Sequence, residues 1–150
     1  MRVLLQRVKE ASVRVESKKV AAIQHGFLIL LGIEHEDSQE DIDWLCGKIA
    51  RIRVFSDEHQ AMNNSIIDVN GDCIVVSQFT LHASTKKGNR PSFIKAARPE
   101  IAIPLYEAFV KQLESELDRK VGTGVFGAMM DVHLVNDGPV TIQMDSKNRE

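Results

Sequence analysis

A short run of polar residues at the end of an apolar segment is the part of this sequence best suited to chemistry. Ile74–Val76 is apolar, and Ser77, Gln78 and Thr80 then stand where further apolar residues would be expected. Side chains of a strand alternate between two faces, so the spacing predicts that Gln78, Thr80 and His82 share one face. Hydroxyl and amide groups placed in this way could orient a carbonyl group and stabilise an oxyanion.

A positively charged segment follows this predicted strand directly. There is no Asp or Glu between His82 and Pro99. The cationic residues in this stretch are Lys86, Lys87, Arg90, Lys95 and Arg98. A polar strand end beside a positive loop could bind an anionic substrate. The same residues could also form a half-buried strand with satisfied hydroxyls and a solvated loop, and spacing alone favours this second interpretation.

The composition is that of an ordinary globular protein. With 150 residues, 43% hydrophobic and 27% charged, the chain is predicted to form one domain over residues 1–150. No apolar run approaches the roughly 20 residues that cross a membrane, and the first residues lack the features of a signal peptide. We therefore expect a cytoplasmic protein without a membrane partner. Cys46 and Cys73 are expected to be buried, reduced thiols.

The charge pattern limits the partners and cofactors that we expect. A net charge of −2 argues against binding nucleic acid through bulk charge, so DNA is not an expected partner and any RNA contact must come from local patches. The five histidines are scattered, and the sequence has no CxxC pair. This pattern predicts no metal site.

Periodicity predicts strands in the first part of the chain. Met1–Lys9 and Ala11–Glu16 are typical of strands, and Val20–Gln24 follows after a turn. The continuous apolar run Gly26–Ile33 predicts a central strand that is buried on both faces.

Two amphipathic helices are also predicted. Ser38, with Asp41 three residues later, indicates the start of a helix of about three turns. The second helix begins at Pro99 or Pro104, because proline fits the first turn of a helix. Its apolar stripe consists of Leu105, Ala108, Phe109, Leu113 and Leu117.

A hairpin is predicted in the middle of the chain. Arg51–Phe55 is typical of a short strand, and residues 56–65 are typical of a loop. Ile66–Val69 and Cys73–Val76 flank Asn70-Gly71, a pair that strongly favours a tight hairpin turn. This hairpin is expected to deliver the polar strand end.

The last part of the chain predicts two further strands. Residues 121–128 are rich in glycine but no helix follows them, so a tight bend is expected rather than a phosphate cradle. Met129–Val135 and Pro139–Met144 are typical of strands, and residues 136–138 separate them. The predicted fold class is α/β, with mostly antiparallel strands and two helices covering one face.

Four motifs together resemble one enzyme family. They are Ser77-Gln-Phe-Thr-Leu81, Lys87-Gly-Asn-Arg-Pro-Ser-Phe93, Phe126-Gly-Ala128 and Asn136-Asp-Gly-Pro-Val-Thr141. In this order they resemble the D-aminoacyl-tRNA deacylases, which are also called the D-tyrosyl-tRNA deacylase family. Shorter matches to this family extend over essentially the whole chain. Met129 stands where relatives often carry an acidic residue, and His82 stands where Tyr is expected. These departures affect the fine-tuning of substrate binding rather than the activity.

The resemblance implies a homodimer with a three-layer β/β/α fold. It implies a carboxylic ester hydrolase that cleaves the bond between a D-amino acid and the terminal adenosine of tRNA, and so proofreads chirality in translation. It implies no metal and no organic cofactor. Which D-amino acids or tRNAs are preferred, and whether glycyl-tRNA is cleaved, stays open.

The resemblance assigns catalysis to Ser77, Gln78, Phe79 and Thr80. A Thr80 nucleophile would need a base, and His82 lies about 7 Å away along a strand, too far for direct proton transfer. We therefore expect no Thr80–His82 dyad. Gln78 and Thr80, with the backbone N–H groups of Phe79 and Thr80, are expected to orient the ester, and the ribose 2′-hydroxyl to assist the attacking water. The Phe79 side chain packs in the core or lines the pocket.

The resemblance assigns the choice between D and L substrates to Gly138 and Pro139 of the partner subunit, braced by Arg7. Their carbonyl groups are expected to accept hydrogen bonds from the substrate ammonium. Sequence alone favours a trans bond before Pro139, since only about 5–6% of such bonds are cis, whereas the resemblance implies a cis bond. Without the resemblance, Arg7 would be expected simply to reach solvent.

Lys86, Lys87 and Arg90 are expected to contact tRNA phosphates. Two other functions stay open at this point: an RNA-binding dimer without catalytic activity, and an esterase that acts on small D-amino acid esters. The first is disfavoured because RNA-binding proteins of this kind display stacking aromatic residues, and only 5% of this chain is aromatic.

Overall fold

The computed structural model describes the whole chain, residues 1–150. Its strands are β1 (Arg2–Val15), β2 (Lys18–Ile23), β3 (Gly26–Gly32), β4 (Phe55–Ser56), β5 (Met62–Asn64), β6 (Asp72–Ser77), β7 (Gly122–Thr123) and β8 (Asp131–Asp145). Its helices are α1 (Gln39–Arg51) and α2 (Pro99–Leu117), and a 3₁₀ turn spans Phe79–His82.

Most strands join one mixed sheet in the order β2-β1-β3-β6-β7, with β8 on the free side of β1. The pairs that include β1 are antiparallel, whereas β3–β6 and β6–β7 are parallel. The short strands β4 and β5 pair separately. The prediction of an α/β fold with mostly antiparallel strands and two helices is confirmed.

The sheet separates two hydrophobic layers. On β3, Phe27 and Ile29 point into the larger layer, which includes Leu45 of α1 and Phe109 of α2. Leu28 points to the opposite face. There it packs in a smaller layer. Ala21 and Ile23 of β2 and Val132 and Leu134 of β8 cover this layer. The helices therefore cover one face of the sheet, and strands cover the other.

The predicted starts of both helices agree with the structure. Ser38 is the N-cap of α1, and its N–H donates to the Asp41 carboxylate at 2.8 Å. Of the two prolines proposed for the start of α2, Pro99 occupies the first helical position, and Pro104 lies inside the helix. Cys46 and Cys73 are buried free thiols, as predicted. No helix is long and apolar enough to cross a membrane.

The hairpin predicted around Asn70-Gly71 is wrong. Residues 66–69 form turns rather than a strand, and β6 pairs parallel with β3. Asn70 does adopt the left-handed conformation, with φ of 54°. However, the Gly71 N–H bonds back to the Ile66 carbonyl at 2.9 Å. The preceding segment therefore closes on itself and offers no second strand.

Three other boundaries differ from prediction. In the expected strand at residues 51–55, Arg51 ends α1 and residues 52–54 form a connection. Only Phe55 belongs to a strand, and it pairs with Asn64 of the expected loop. The two predicted N-terminal strands are one strand, β1, and the two predicted C-terminal strands are one strand, β8. The predicted breaks coincide with irregular pairing between β1 and β8. Their register shifts between Gln6 and Glu10 of β1, which lie opposite residues 135–141 of β8.

Candidate active site

The polar residues after β6 lie in a turn and not on a strand. The last ladder bond runs from the Gln78 N–H to the Leu31 carbonyl at 2.8 Å. The chain then closes into the 3₁₀ turn, where Leu81 N–H bonds to the Gln78 carbonyl at 3.2 Å. The predicted alternation of faces is therefore wrong: Thr80 is exposed to solvent, whereas His82 points into the protein.

A pocket of about 330 Å³ opens beside this turn. Ser77, Gln78 and Phe79 form one wall, and the segment 126–130 faces them. The remaining lining residues are Leu31, Ile33, Val76, Ala97, Ala102 and Val132. The interior is therefore apolar, and its polar groups are concentrated at the end of β6. Such a pocket suits a flat, weakly polar group held by a few polar contacts.

Several hydrogen-bond donors stand at the polar wall. The Gln78 side-chain amide donates to the Thr80 hydroxyl at 2.5 Å, which fixes both side chains at the rim. The backbone N–H groups of Phe79 and Thr80 are the first two of the 3₁₀ turn, and N–H groups at the start of a helical turn have no partner within it. Free N–H groups beside a pocket can stabilise an oxyanion. Thr80 itself lies outside the lining of the pocket.

No titratable side chain lines the pocket. His82 is 2% exposed, and neither ring nitrogen has a hydrogen-bond partner. Burial lowers the pKa of His82 below its ordinary value. The expectation that Thr80 and His82 form no dyad agrees with this geometry, because the ring is buried while the hydroxyl faces solvent.

The side chain of Phe79 is 55% exposed, so the alternative in which it packs in the core is wrong. Its ring lies edge-to-face against Phe93, with centroids 5.1 Å apart and planes at 77°. Phe79 thus forms part of the pocket mouth, and Phe93 supports it from the side.

Gly138 and Pro139 lie on a bulge of the edge strand β8. Gln6 pairs with Thr141 and Val8 pairs with Asn136, so residues 137–140 oppose the single residue Arg7. Both Gly138 and Pro139 are exposed, and the bond between them is cis.

Arg7 lies beneath this bulge and is 7% exposed. Its Nε donates to the Asp137 carbonyl at 3.1 Å and lies 3.2 Å from the Asp137 carboxylate. A second guanidinium N–H donates to the Val54 carbonyl. The simple expectation that Arg7 reaches solvent is therefore wrong. Gly138 has φ of 124°, and a Cβ there would lie 3.1 Å from the guanidinium, so only glycine fits without strain.

The basic loop, residues 85–91, ends just before Phe93, whose ring contacts Phe79 at the pocket. Its base is closed by Ser84 and Ser92, which exchange backbone hydrogen bonds of 2.8 and 2.9 Å. Lys86, Lys87 and Arg90 are exposed. None of them takes part in an ion pair. No group of three or more His, Cys, Asp or Glu side chains could hold a metal ion.

Comparison with known proteins decides the family. The family model described as D-Tyr-tRNA(Tyr) deacylase matches residues 4–145. The chain belongs to the D-aminoacyl-tRNA deacylase family. It is 67% identical over 150 residues to the D-aminoacyl-tRNA deacylase of Flavobacterium johnsoniae, and the match covers both chains completely. This deacylase is therefore a hydrolase with an aminoacyl-tRNA substrate.

Solved structures resemble the deacylase closely. One, described as c-Myc DNA Unwinding Element Binding Protein, has a TM-score of 0.90 and 40% identity, and covers 97% of this chain and 98% of its own. Another, described as a probable eukaryotic D-amino acid tRNA deacylase, has a TM-score of 0.83 over 95% of this chain and 97% of its own. At 16% identity, the second likeness shows the fold alone.

The deacylase brings only some of its predicted site residues together. Ser77, Gln78 and Phe79 share one wall of the pocket and Thr80 stands at its rim, whereas Arg7 lies under the bulge, outside the pocket lining. Sequence reasoning missed the facing wall at residues 126–130. The signal was present in the Phe126-Gly-Ala128 motif, but the glycines indicated only a bend.

Proposed function

We propose that this deacylase cleaves the ester between a D-amino acid and the terminal adenosine of tRNA, and releases the free amino acid and tRNA. The observation that carries this proposal is the apolar pocket with a polar wall at Ser77 and Gln78. The apolar interior suits the adenine ring, and the polar wall suits the ester that is attached to its ribose.

The polar wall orients the ester. The N–H groups of Phe79 and Thr80 begin the 3₁₀ turn, where N–H groups have no partner within the turn, so they can donate to the ester oxygen as negative charge develops on it. Gln78 is held by Thr80 at 2.5 Å, which keeps its amide from rotating away. In this mechanism Thr80 positions a neighbouring group and does not attack the ester.

The attacking water is activated by the substrate itself. None of the side chains that line the pocket is a titratable base. The ribose 2′-hydroxyl lies next to the ester, and it can both accept and donate a hydrogen bond, so it can orient the attacking water. Water oxygen bonds to the ester carbon, the bond to the ribose oxygen breaks, and the water's proton ends on that oxygen. Substrate assistance of this kind restricts the enzyme to RNA.

Selection of D-amino acids uses Gly138 and Pro139 of a second subunit. Within one chain, neither Gly138 nor Pro139 lines the pocket. An exposed bulge on an edge strand is instead available to a second copy, which supports a homodimer.

Backbone carbonyls are suited to reading the α-carbon. An enzyme that accepts many D-amino acids cannot depend on the side chain, so it must fix the ester and the ammonium group and block the direction of an L side chain. Carbonyl groups of Gly138 and Pro139 can accept from the ammonium, and they cannot rotate as a side chain can. Arg7 holds this bulge from below.

Recognition of the tRNA backbone uses Lys86, Lys87 and Arg90, which are exposed and free of ion pairs. Phosphates are the natural partners of such a cluster. In the cell, removal of D-amino acids from tRNA amounts to chirality proofreading in translation, which takes place in the cytoplasm. Neither a metal nor an organic cofactor is part of this mechanism.

A panel of substrates tests the proposal. The purified protein is incubated with D-aminoacyl-tRNA, L-aminoacyl-tRNA, a free D-amino acid ester, and D-aminoacyl-tRNA ending in 2′-deoxyadenosine. Rapid release is expected only from D-aminoacyl-tRNA. Release from its 2′-deoxyadenosine form should be much slower, and L-aminoacyl-tRNA and the free ester should stay intact. Cleavage of the free ester at a similar rate would identify a general esterase. Full-rate cleavage of the deoxy form would exclude assistance by the 2′-hydroxyl.

A further inference from the structure

An exposed apolar surface lies between the pocket and the basic loop. It consists of Phe79, Phe93 and Ile94. Phe79 is 55% exposed and Ile94 is 86% exposed, and the ring centroids of Phe79 and Phe93 are 5.1 Å apart. We call these three residues the apolar ledge. Large apolar side chains grouped in this way on a soluble protein mark a binding surface. The Phe93 ring packs against Phe79 with the two planes at 77°, and Phe79 keeps more than half of its surface exposed.

The ledge occupies the route from the pocket to the cations. Phe79 also lines the pocket mouth, so the ledge begins where the pocket ends. The basic loop leaves the chain after Ala83 and returns through Ser92 directly to Phe93. Phe79 therefore connects the pocket to Phe93, the residue at which the loop that carries the cations returns to the chain.

We propose that the apolar ledge stacks the base of the nucleotide that precedes the terminal adenosine, while the phosphates on either side lie against the basic loop. This inference rests on the proposed function, because it requires the terminal adenosine in the pocket. Single-stranded nucleic acid is commonly held by an aromatic stacking surface within a positively charged groove. The ledge and the loop supply both parts in adjacent positions, and stacking of this kind tolerates any base.

Removing one base from the substrate tests the stacking directly. Two tRNAs are prepared, one intact and one with an abasic residue before the terminal adenosine. Each is used uncharged to measure Kd and charged with a D-amino acid to measure kcat/KM. The ratio of abasic to intact values is compared in the wild type, Phe79→Leu and Phe79→Tyr. Phe126→Leu is the matched control, since it makes the same change on the facing wall of the pocket.

In the wild type, loss of the base is expected to raise Kd roughly 10-fold, since stacking on an aromatic residue is worth about 1–3 kcal/mol per base. In Phe79→Leu the abasic ratio should fall to about 2 or less, while Phe79→Tyr and Phe126→Leu keep the wild-type ratio. Taking the ratio within each variant removes any effect of the substitution on catalysis itself. Thermal unfolding confirms that each variant is folded.

The same abasic ratio in Phe79→Leu as in the wild type would overturn the proposal, and so would the absence of any effect of the base in the wild type. A partner subunit that covered the ledge would also leave the abasic ratio unchanged in Phe79→Leu, and it would exclude stacking there. If uncharged tRNA shows the expected pattern but no D-aminoacyl-tRNA is cleaved, the proposed function fails and the stacking inference stands. If cleavage is normal and the ratio never changes, only the stacking inference fails.

Discussion

Arg7 holds Asp137 through two different groups: its Nε lies 3.1 Å from the Asp137 carbonyl oxygen and 3.2 Å from the carboxylate. Both contacts share the single Nε–H, while Nη1 of the same planar guanidinium donates to the Val54 carbonyl, so Arg7 ties Asp137 to the connection before β4. This double contact fixes the residue that immediately precedes Gly138-Pro139. The position of an exposed bulge therefore depends on a buried side chain of the neighbouring strand.

Replacing Arg7 tests this dependence. Arg7→Ala removes a largely buried partner of Asp137, and the free energy of unfolding should fall by about 2–3 kcal/mol. Hydrolysis of D-aminoacyl-tRNA should fall with it, and Arg7→Lys should recover only part of the loss. The measurements are urea unfolding and kcat/KM for D- and L-aminoacyl-tRNA.

The control for Arg7 is Arg51→Ala, which breaks an exposed ion pair with Glu116. Exposed pairs contribute little, so less than about 1 kcal/mol should be lost, with unchanged kinetics. Wild-type kinetics in a folded Arg7→Ala variant would contradict the role given to Arg7.

Thr80 is expected to position Gln78 and not to attack the ester. Thr80→Ala removes the hydroxyl that accepts from the Gln78 amide at 2.5 Å. The expected loss in kcat is roughly 10²–10³, comparable to the loss of one oxyanion donor. Thr80→Ser keeps the hydroxyl and should stay close to the wild type. Trapping of an aminoacyl group on Thr80, followed by mass spectrometry, would instead identify it as the nucleophile.

His82 is expected to make stability depend on pH. Burial lowers its pKa in the folded protein, so below about pH 6.5 the unfolded chain binds a proton more readily than the folded one. The free energy of unfolding should therefore decrease as the pH falls from about 7 through the folded pKa, and level off below it. Urea unfolding over this range measures the effect.

His82→Leu should flatten this part of the pH profile. Leucine keeps an apolar side chain in this buried position and cannot be protonated; the ring nitrogens make no hydrogen bond of normal geometry, and burial outweighs the weak contact with the Gly32 backbone that favours the protonated ring. His59→Gln is the control, because the His59 side chain is 80% exposed and its replacement should leave the slope unchanged. A slope that persists in His82→Leu would mean that other groups cause the acid sensitivity.

The basic loop is expected to give tRNA binding its dependence on salt. Each lysine that contacts a phosphate adds up to about 1 to the slope of log Kd against log salt. Lys86→Ala combined with Lys87→Ala should therefore lower the slope. Lys111→Ala combined with Lys120→Ala, on exposed positions at the other end of α2, is the matched control and should leave it unchanged. Equal slopes in both double variants would show that the loop is simply solvated.

Local patterns predicted some elements of the fold well and others poorly. The apolar run of β3 and the start of α1 at Ser38 were predicted correctly, and Pro99 was one of the two predicted starts of α2, because each depends on residues adjacent in the chain. The Asn70-Gly71 turn was misassigned, since its left-handed residue is compatible with several turns and only the parallel partner of β6 decides between them.

The site was predicted in part for similar reasons. The motifs identified Ser77, Gln78 and Phe79, but alternation could not predict that a 3₁₀ turn would replace the strand and separate Thr80 from His82. The facing wall of the pocket comes from a segment about fifty residues later in the chain. Long-range packing of this kind leaves no periodic signal in the sequence.

A mixture of two inactive variants tests the cross-subunit site most directly. One variant carries Gln78→Ala and Thr80→Ala, and the other carries Gly138→Ala, which places a Cβ 3.1 Å from the Arg7 guanidinium. If the protein is a homodimer as proposed, the hybrid dimers that form when the two are unfolded and refolded together contain one pocket with an intact polar wall and an intact bulge from the partner. Hydrolysis of D-aminoacyl-tRNA, with L-aminoacyl-tRNA left uncleaved, is expected in the mixture and not in either parent. A mixture no more active than its parents would contradict a site shared between two subunits.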